Sequence, residues 1–201
     1  MQLKKPEFWD YKKPSLISWL LFPISKLVEI CSFFSLNKKQ YKFKIKTICI
    51  GNIYLGGTGK TSLAITINEI LKKNNFKTCF IKKFYSNQDD EQKILQKNDR
   101  VFLEKKRFES LKIAENEKYQ FAIFDDGLQD HSIDYDFKFV CFNTINWIGN
   151  GMVIPAGPLR ENIKNLKYYN YVFLNGNLEN LDFIKEEIFS LNPNIQIIIG
   201  E

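Results

Sequence analysis

The sequence predicts an α/β fold in which a mostly parallel sheet is flanked by helices, and three observations carry that prediction. Apolar, β-branched runs short enough to be buried strands recur along the 201 residues. One of these runs leads through a glycine-rich turn straight into a segment with helical apolar spacing. Polar or acidic residues follow the ends of several runs, where open α/β sheets form their ligand crevice.

The first element is an apolar segment over residues 14–36, with Trp19, Leu20, Leu21, Phe22, Ile24, Leu27, Val28, Ile30, Cys31, Phe33 and Phe34. Pro23, Lys26 and Glu29 interrupt it, which argues against a membrane-spanning helix needing about 20 apolar residues. A helix lying in a membrane interface and a helix docked on the protein's own core both remain. Lysines at 4, 5, 12, 13, 26, 38 and 39, with Trp9 and Trp19 suited to headgroup depth, favour the interface.

Thr47-Ile48-Cys49-Ile50-Gly51 reads as the first strand. Gly56-Gly57-Thr58-Gly59-Lys60-Thr61-Ser62 follows, and then Leu63, Ile67, Ile70 and Leu71 at helical spacing. Strand, glycine loop and helix are the parts of a phosphate cradle, so the expected fold is P-loop NTPase-like. Glycines at 56, 57 and 59 permit positive φ and let several N–H groups surround one anion, and the helix start adds its positive dipole end. Lys60 can reach the β- and γ-phosphates of ATP, and Thr61 can ligate the accompanying Mg2+. The full pattern also has a glycine five residues before Gly59, where this chain has Tyr54.

Thr78-Cys79-Phe80-Ile81 reads as the second strand, residues 82–91 as a polar loop at its carboxyl end, and Val101-Phe102-Leu103 as a third strand. Residues 105–117 read as a charged helix. Tyr119-Gln120-Phe121-Ala122-Ile123-Phe124 is a strand that runs directly into Asp125-Asp126-Gly127. An apolar strand ending in aspartate on the sheet of a phosphate loop is the expected place for a magnesium-holding acid, so Asp125 and Asp126 are metal candidates. An Asp-Gly turn with a capping acid is the plainer alternative. Phe137-Lys138-Phe139-Val140-Cys141-Phe142, Tyr171-Val172-Phe173-Leu174 and Ile195-Gln196-Ile197-Ile198-Ile199 complete the strand candidates. The glycine- and proline-rich loop over residues 149–161 carries Arg160, which could clamp a phosphate, the plainer alternative being a solvated charge in a surface turn.

A net charge of +6 favours an anionic partner. The aromatic residues are scattered through apolar runs rather than set in a basic single-strand-binding pattern, which speaks against nucleic acid. Cys31, Cys49, Cys79 and Cys141 have no metal-type spacing and read as reduced, buried thiols of a cytosolic protein. No signal peptide is expected at the start.

In order and spacing, four stretches resemble the tetraacyldisaccharide 4'-kinase family of lipid A biosynthesis. They are Gly51-Asn52 with Gly56 to Thr61, Asp90-Glu91, Asp125-Asp126-Gly127-Leu128-Gln129, and Gly149-Asn150-Gly151 with Pro155-Ala156-Gly157-Pro158-Leu159-Arg160-Glu161. The resemblance implies transfer of the ATP γ-phosphate to the 4'-hydroxyl of a tetraacylated glucosamine disaccharide 1-phosphate at the cytoplasmic face of the bacterial inner membrane. It further implies Asp90 as proton acceptor, Lys60 and Arg160 at the phosphates, Thr61, Asp125 and Asp126 around Mg2+, peripheral membrane attachment, and no obligate protein partner. It makes residues 1–40 a membrane-associating segment and residues 41–201 the kinase core of a shortened member, whose family histidine partner for the aspartate has no counterpart here. His131 reads as a turn residue. Lys83-Phe84-Tyr85 replaces the family's Arg-Gly-Tyr, and Asn162 stands where proline is frequent. A truncated, non-catalytic nucleotide- or membrane-binding remnant and a partitioning-type ATPase are the competing readings, the latter set back by Leu55 where its signature lysine would stand.

Overall fold

The computed structural model describes residues 5–36, 39–83, 89–177 and 179–200, with the backbone alone for residues 33, 35, 36 and 89–91. All seven expected strands form: β1 (Lys46–Gly51), β2 (Thr78–Lys83), β3 (Val101–Glu104), β4 (Phe121–Asp125), β5 (Phe137–Asn143), β6 (Tyr171–Asn175) and β7 (Gln196–Ile199). They join in one sheet ordered β3-β2-β4-β1-β5-β6-β7. The pairings of β1 with β4 and β5, of β2 with β3 and β4, and of β6 with β7 are parallel. β1, β2 and β4 are buried on both faces, which explains why their runs are continuously apolar rather than alternating.

The helices are α1 (Leu16–Leu36), α2 (Lys60–Lys73), α3 (Asp89–Asn98), α4 (Arg107–Asn116) and α5 (Leu181–Leu191). The expected charged helix is α4, slightly shorter than its pattern. The loop expected over residues 82–91 is corrected at both ends: β2 continues through Lys83 and α3 begins at Asp89, while residues 84–88 lie outside the described ones. In α2 the buried line is Leu63, Ala64 and Asn68, whereas Ile70 is 54% exposed. Asn68 is held inside because its Oδ1 accepts from Thr78 Oγ1 at 2.6 Å, so a paired polar residue takes a place the apolar spacing had given to Ile70.

The chain divides into two compact units. One comprises Lys39–Asn52 and Gly59–Val140. Its core is Cys49, Ile50, Phe80, Ile81, Ala122, Ile123 and Phe124 from the strands, covered by Leu95, Leu111 and Ala114 from the helices, all fully buried. Of the four cysteines expected to be buried, Cys49, Cys79 and Cys141 are and Cys31 on α1 is exposed; burial raises the Cys49 and Cys79 thiols above their ordinary value, which keeps them protonated and unreactive. The other unit comprises Met1–Lys38, Ile53–Thr58 and Cys141–Glu201. Cys141, Phe142, Val172, Leu174, Ile184 and Ile188 fill its core. The Trp147 indole there packs tilted against Phe142, ring centroids 4.6 Å apart, and donates to Glu187 at 2.8 Å.

Candidate active site

β1 ends at Gly51 because the next turn needs a position without a side chain. A Cβ on Gly51 would lie 2.7 Å from Leu128 Cγ, so the Asp125-Asp126-Gly127-Leu128-Gln129 turn closes directly onto it. Asp126 N–H donates to the Ile50 carbonyl at 2.8 Å, and Gln129 Nε2 donates to the Asn52 carbonyl at 3.2 Å. The register pairs Ile50 with Asp125. The acidic turn and the start of the glycine loop therefore share the carboxyl end of neighbouring strands, as a phosphate and cation site requires.

The loop re-enters regular structure at Gly59, whose φ of +78° is the left-handed conformation that glycine adopts without strain. No side chain caps α2, so the amides of its first turn and its dipole end are available to an anion. Lys60 and Thr61 are half-buried there and Ser62 is exposed. Gly57 departs from the expected positive φ, and a methyl on it would meet nothing within 4 Å. Thr58 is buried with its hydroxyl unmatched among the described residues.

Asp125 is 1% exposed, and its Oδ2 accepts from Lys82 Nζ at 2.6 Å while Oδ1 is buried without a hydrogen-bond partner among the described groups. An orphaned buried carboxylate oxygen at this edge fits a divalent cation or its water. Asp126 sits at φ +59°, and its carbonyl accepts from Arg107 Nη2 at 2.5 Å. Lys82 and Arg107 escape a sequence reading: one follows an apolar strand and the other opens a charged helix. A lysine that keeps step with an aspartate on the adjacent strand, Ile81 pairing with Phe124, is the signal that could have found the first. Asp90 falls in the first turn of α3, with its side chain outside the described ones.

In the other unit, Tyr54 occupies the place of the missing glycine. Its ring is 2% exposed, and a Cβ on Gly56 would lie 3.1 Å from it. The phenol donates to Asp10 Oδ1 at 2.6 Å, with the Lys5 ammonium contacting both groups. Burial, followed by the Asp10 carboxylate, raises the Tyr54 phenol well above its ordinary value. Residues 53–55 are also sewn to the glycine- and proline-rich loop. Leu55 N–H donates to the Pro158 carbonyl at 2.9 Å, and Arg160 N–H to the Ile53 carbonyl at 2.7 Å. Arg160, expected near the phosphates, thus has its backbone fixed to the segment that opens the phosphate loop.

The same loop receives α1. Ser25 Oγ donates to the Val153 carbonyl at 2.8 Å and accepts from Ala156 N–H at 3.0 Å, and Ser18 Oγ accepts from Asn150 Nδ2 at 3.1 Å. The helix buries Ser18 and Ser25 and turns a row of apolar residues outward: Leu16 is 89% exposed, Leu20 79%, Leu27 63% and Phe34 67%. Among the described residues no helix is long and apolar enough to cross a membrane.

A family model described as LpxK, tetraacyldisaccharide-1-P 4'-kinase, matches residues 17–198. The tetraacyldisaccharide 4'-kinase of Pelagibacter ubique (strain HTCC1062) is 59% identical over 201 residues, covering 100% of this chain and 64% of that protein. That of Wigglesworthia glossinidia brevipalpis is 31% identical over 205 residues, covering 92% and 55%. The chain thus spans roughly three fifths of the length of these relatives. Among solved structures, LpxK from Aquifex aeolicus, described as in complex with ATP, matches with a TM-score of 0.68 at 18% identity, covering 92% of this chain and 82% of that one. HypB from Archaeoglobus fulgidus matches with a TM-score of 0.52 at 11% identity, covering 89% and 90%. At those identities the likeness is one of fold.

Proposed function

The chain belongs to the tetraacyldisaccharide 4'-kinase family, and from that premise we propose that it serves the ATP-dependent phosphorylation of the 4'-hydroxyl of a tetraacylated glucosamine disaccharide 1-phosphate. The observation that carries the reading is the closure of the Asp125–Gln129 turn onto the strand that feeds the glycine loop. Phosphoryl transfer asks a protein mainly for positioning and charge stabilisation, plus one proton acceptor.

In this reading the loop from Gly56 to Gly59, buried Thr58 included, and the first turn of α2 with exposed Ser62 cradle the nucleotide phosphates. Lys60 holds the transferring γ-phosphate, and Arg160 is the second basic residue assigned to the phosphates. Thr61, Asp125 and Asp126 would hold Mg2+, which when bound would offset the charge on the phosphate oxygens. Asp90 takes the proton from the sugar hydroxyl as that oxygen bonds to the γ-phosphorus and the bond to the bridging oxygen breaks, releasing ADP.

Residues 1–40 form the membrane-associating segment of this proposal, and residues 41–201 the kinase core. The outward row of Leu16, Leu20, Leu27 and Phe34, with Trp19 beside it and exposed Lys12, Lys13 and Lys26 around it, suits an anionic lipid interface. An acylated substrate would be met there, at the cytoplasmic face of the inner membrane.

Mass spectrometry of the acyl disaccharide after incubation with ATP, Mg2+ and the protein tests the proposal. One added phosphate on the distal sugar is expected. No added phosphate at protein concentrations matching the substrate contradicts it.

A further inference from the structure

Lys82 and Asp125 form an ion pair at 2.6 Å with side chains 2% and 1% exposed. Burying two charges costs desolvation that their attraction rarely exceeds, so an apolar pair in the same volume would stabilise the core as well or better. Fold stability alone therefore does not account for it. Position supplies a better account, because the pair lies at the carboxyl edge of β2 and β4, one strand from the β1 end that opens the glycine loop. Only Asp125 Oδ2 is engaged by the ammonium, and Oδ1 stays buried and unmatched among the described groups.

Resting on the phosphotransferase reading above, we infer that Lys82 is a positioning residue that sets when the divalent cation binds. Its ammonium fixes Asp125 and offsets that carboxylate's charge, so Asp125 and Asp126 alone attract a cation weakly. The phosphates of a nucleotide add the negative charge that the site otherwise lacks, and metal and nucleotide therefore arrive together. Without the ammonium the same acids would form a competent cation site by themselves. A like charge held this close to a cation at the screening found in protein sites is worth about tenfold or more in affinity.

The test measures Mn2+ binding to the full chain by electron paramagnetic resonance, with and without a non-hydrolysable ATP analogue. In the wild type, Mn2+ binding is expected to be at least about tenfold tighter with the analogue than without it. In Lys82→Met, nucleotide-free Mn2+ binding is expected to tighten by about tenfold, and Lys82→Arg, which keeps the charge, should stay near the wild type. Equal nucleotide-free affinity in folded Lys82→Met and wild type overturns the inference. Should the Met variant not fold, the wild type still decides: nucleotide-free Mn2+ binding as tight as binding with the analogue overturns it. Failure of the wild type to bind Mn2+ even with the analogue overturns the nucleotide reading itself and this inference with it.

Discussion

Asp136 shows how one side chain ties two strands. Its Oδ2 accepts from both the N–H and the hydroxyl of Thr47 at 2.9 Å, its own N–H donates back to Thr47 Oγ1, and the Lys42 and Lys46 ammoniums lie at 3.2 and 3.3 Å. Burial pushes its carboxyl up, but the Thr47 donors and the two lysines outweigh that and hold it below its ordinary value of 3.8. A depressed folded value means that the stabilisation is complete above the unfolded value and lost as the pH falls through the folded one. Asp136→Asn should therefore lower stability to urea by about 1–2 kcal/mol at pH 7, with the deficit shrinking in strongly acidic buffer. An equal deficit at both pH values would contradict this. At the residue scale the glycines, Lys60, Thr61 and the acidic pair could be put forward from sequence as candidates because the chemistry of a phosphate site limits which residues fit, though Gly57 lacks the positive φ expected of it. Lys82, Arg107 and the Tyr54–Asp10 pair were not, since each acquires its meaning from a neighbour distant in sequence.

Among the elements, α1 inverts the usual rule that a helix buries its apolar stripe. Its inward line runs through Ser18 and Ser25, which bond the loop that also holds residues 53–55, and this fixes the helix while Leu16, Leu20 and Leu27 stay outside. The sequence showed an apolar helix but left its orientation open, because hydrophobicity alone does not tell lipid from core. Substituting Leu20→Glu together with Leu27→Glu should weaken partitioning to anionic vesicles by at least about tenfold, since each leucine is worth roughly 1.5–3 kcal/mol on burial, without lowering the melting temperature. Unchanged vesicle binding would show that this face is not the lipid contact. Point substitutions suit the purpose better than deleting the helix, which would also strip the Val153 carbonyl and Ala156 N–H of their partner. The seven strands were legible from their apolar runs. α3 passed unnoticed because it opens on Asp89-Asp90-Glu91 and, among its described side chains, buries only Gln92 and Leu95, whereas α5 carries Leu181, Ile184, Ile188 and Leu191 at helical spacing, a signal that was present and not taken up.

For the whole molecule, the parallel order of the sheet could not be read from the strands singly, yet it decides the account. β1 lies between β4 and β5, so the acids that end β4 stand beside the strand that enters the glycine loop. The central claim is that this edge binds a nucleotide through Lys60 and a divalent ion. Calorimetric titration of Mg2+ and an ATP analogue into the full chain and into Lys60→Ala tests it most directly. The wild type should bind one nucleotide with a dissociation constant in the range of about 1 μM to 1 mM typical of enzyme substrates, needing the ion, and Lys60→Ala should bind at least about tenfold more weakly while melting at the same temperature. Equal binding by both proteins, or none by the wild type, would contradict the account.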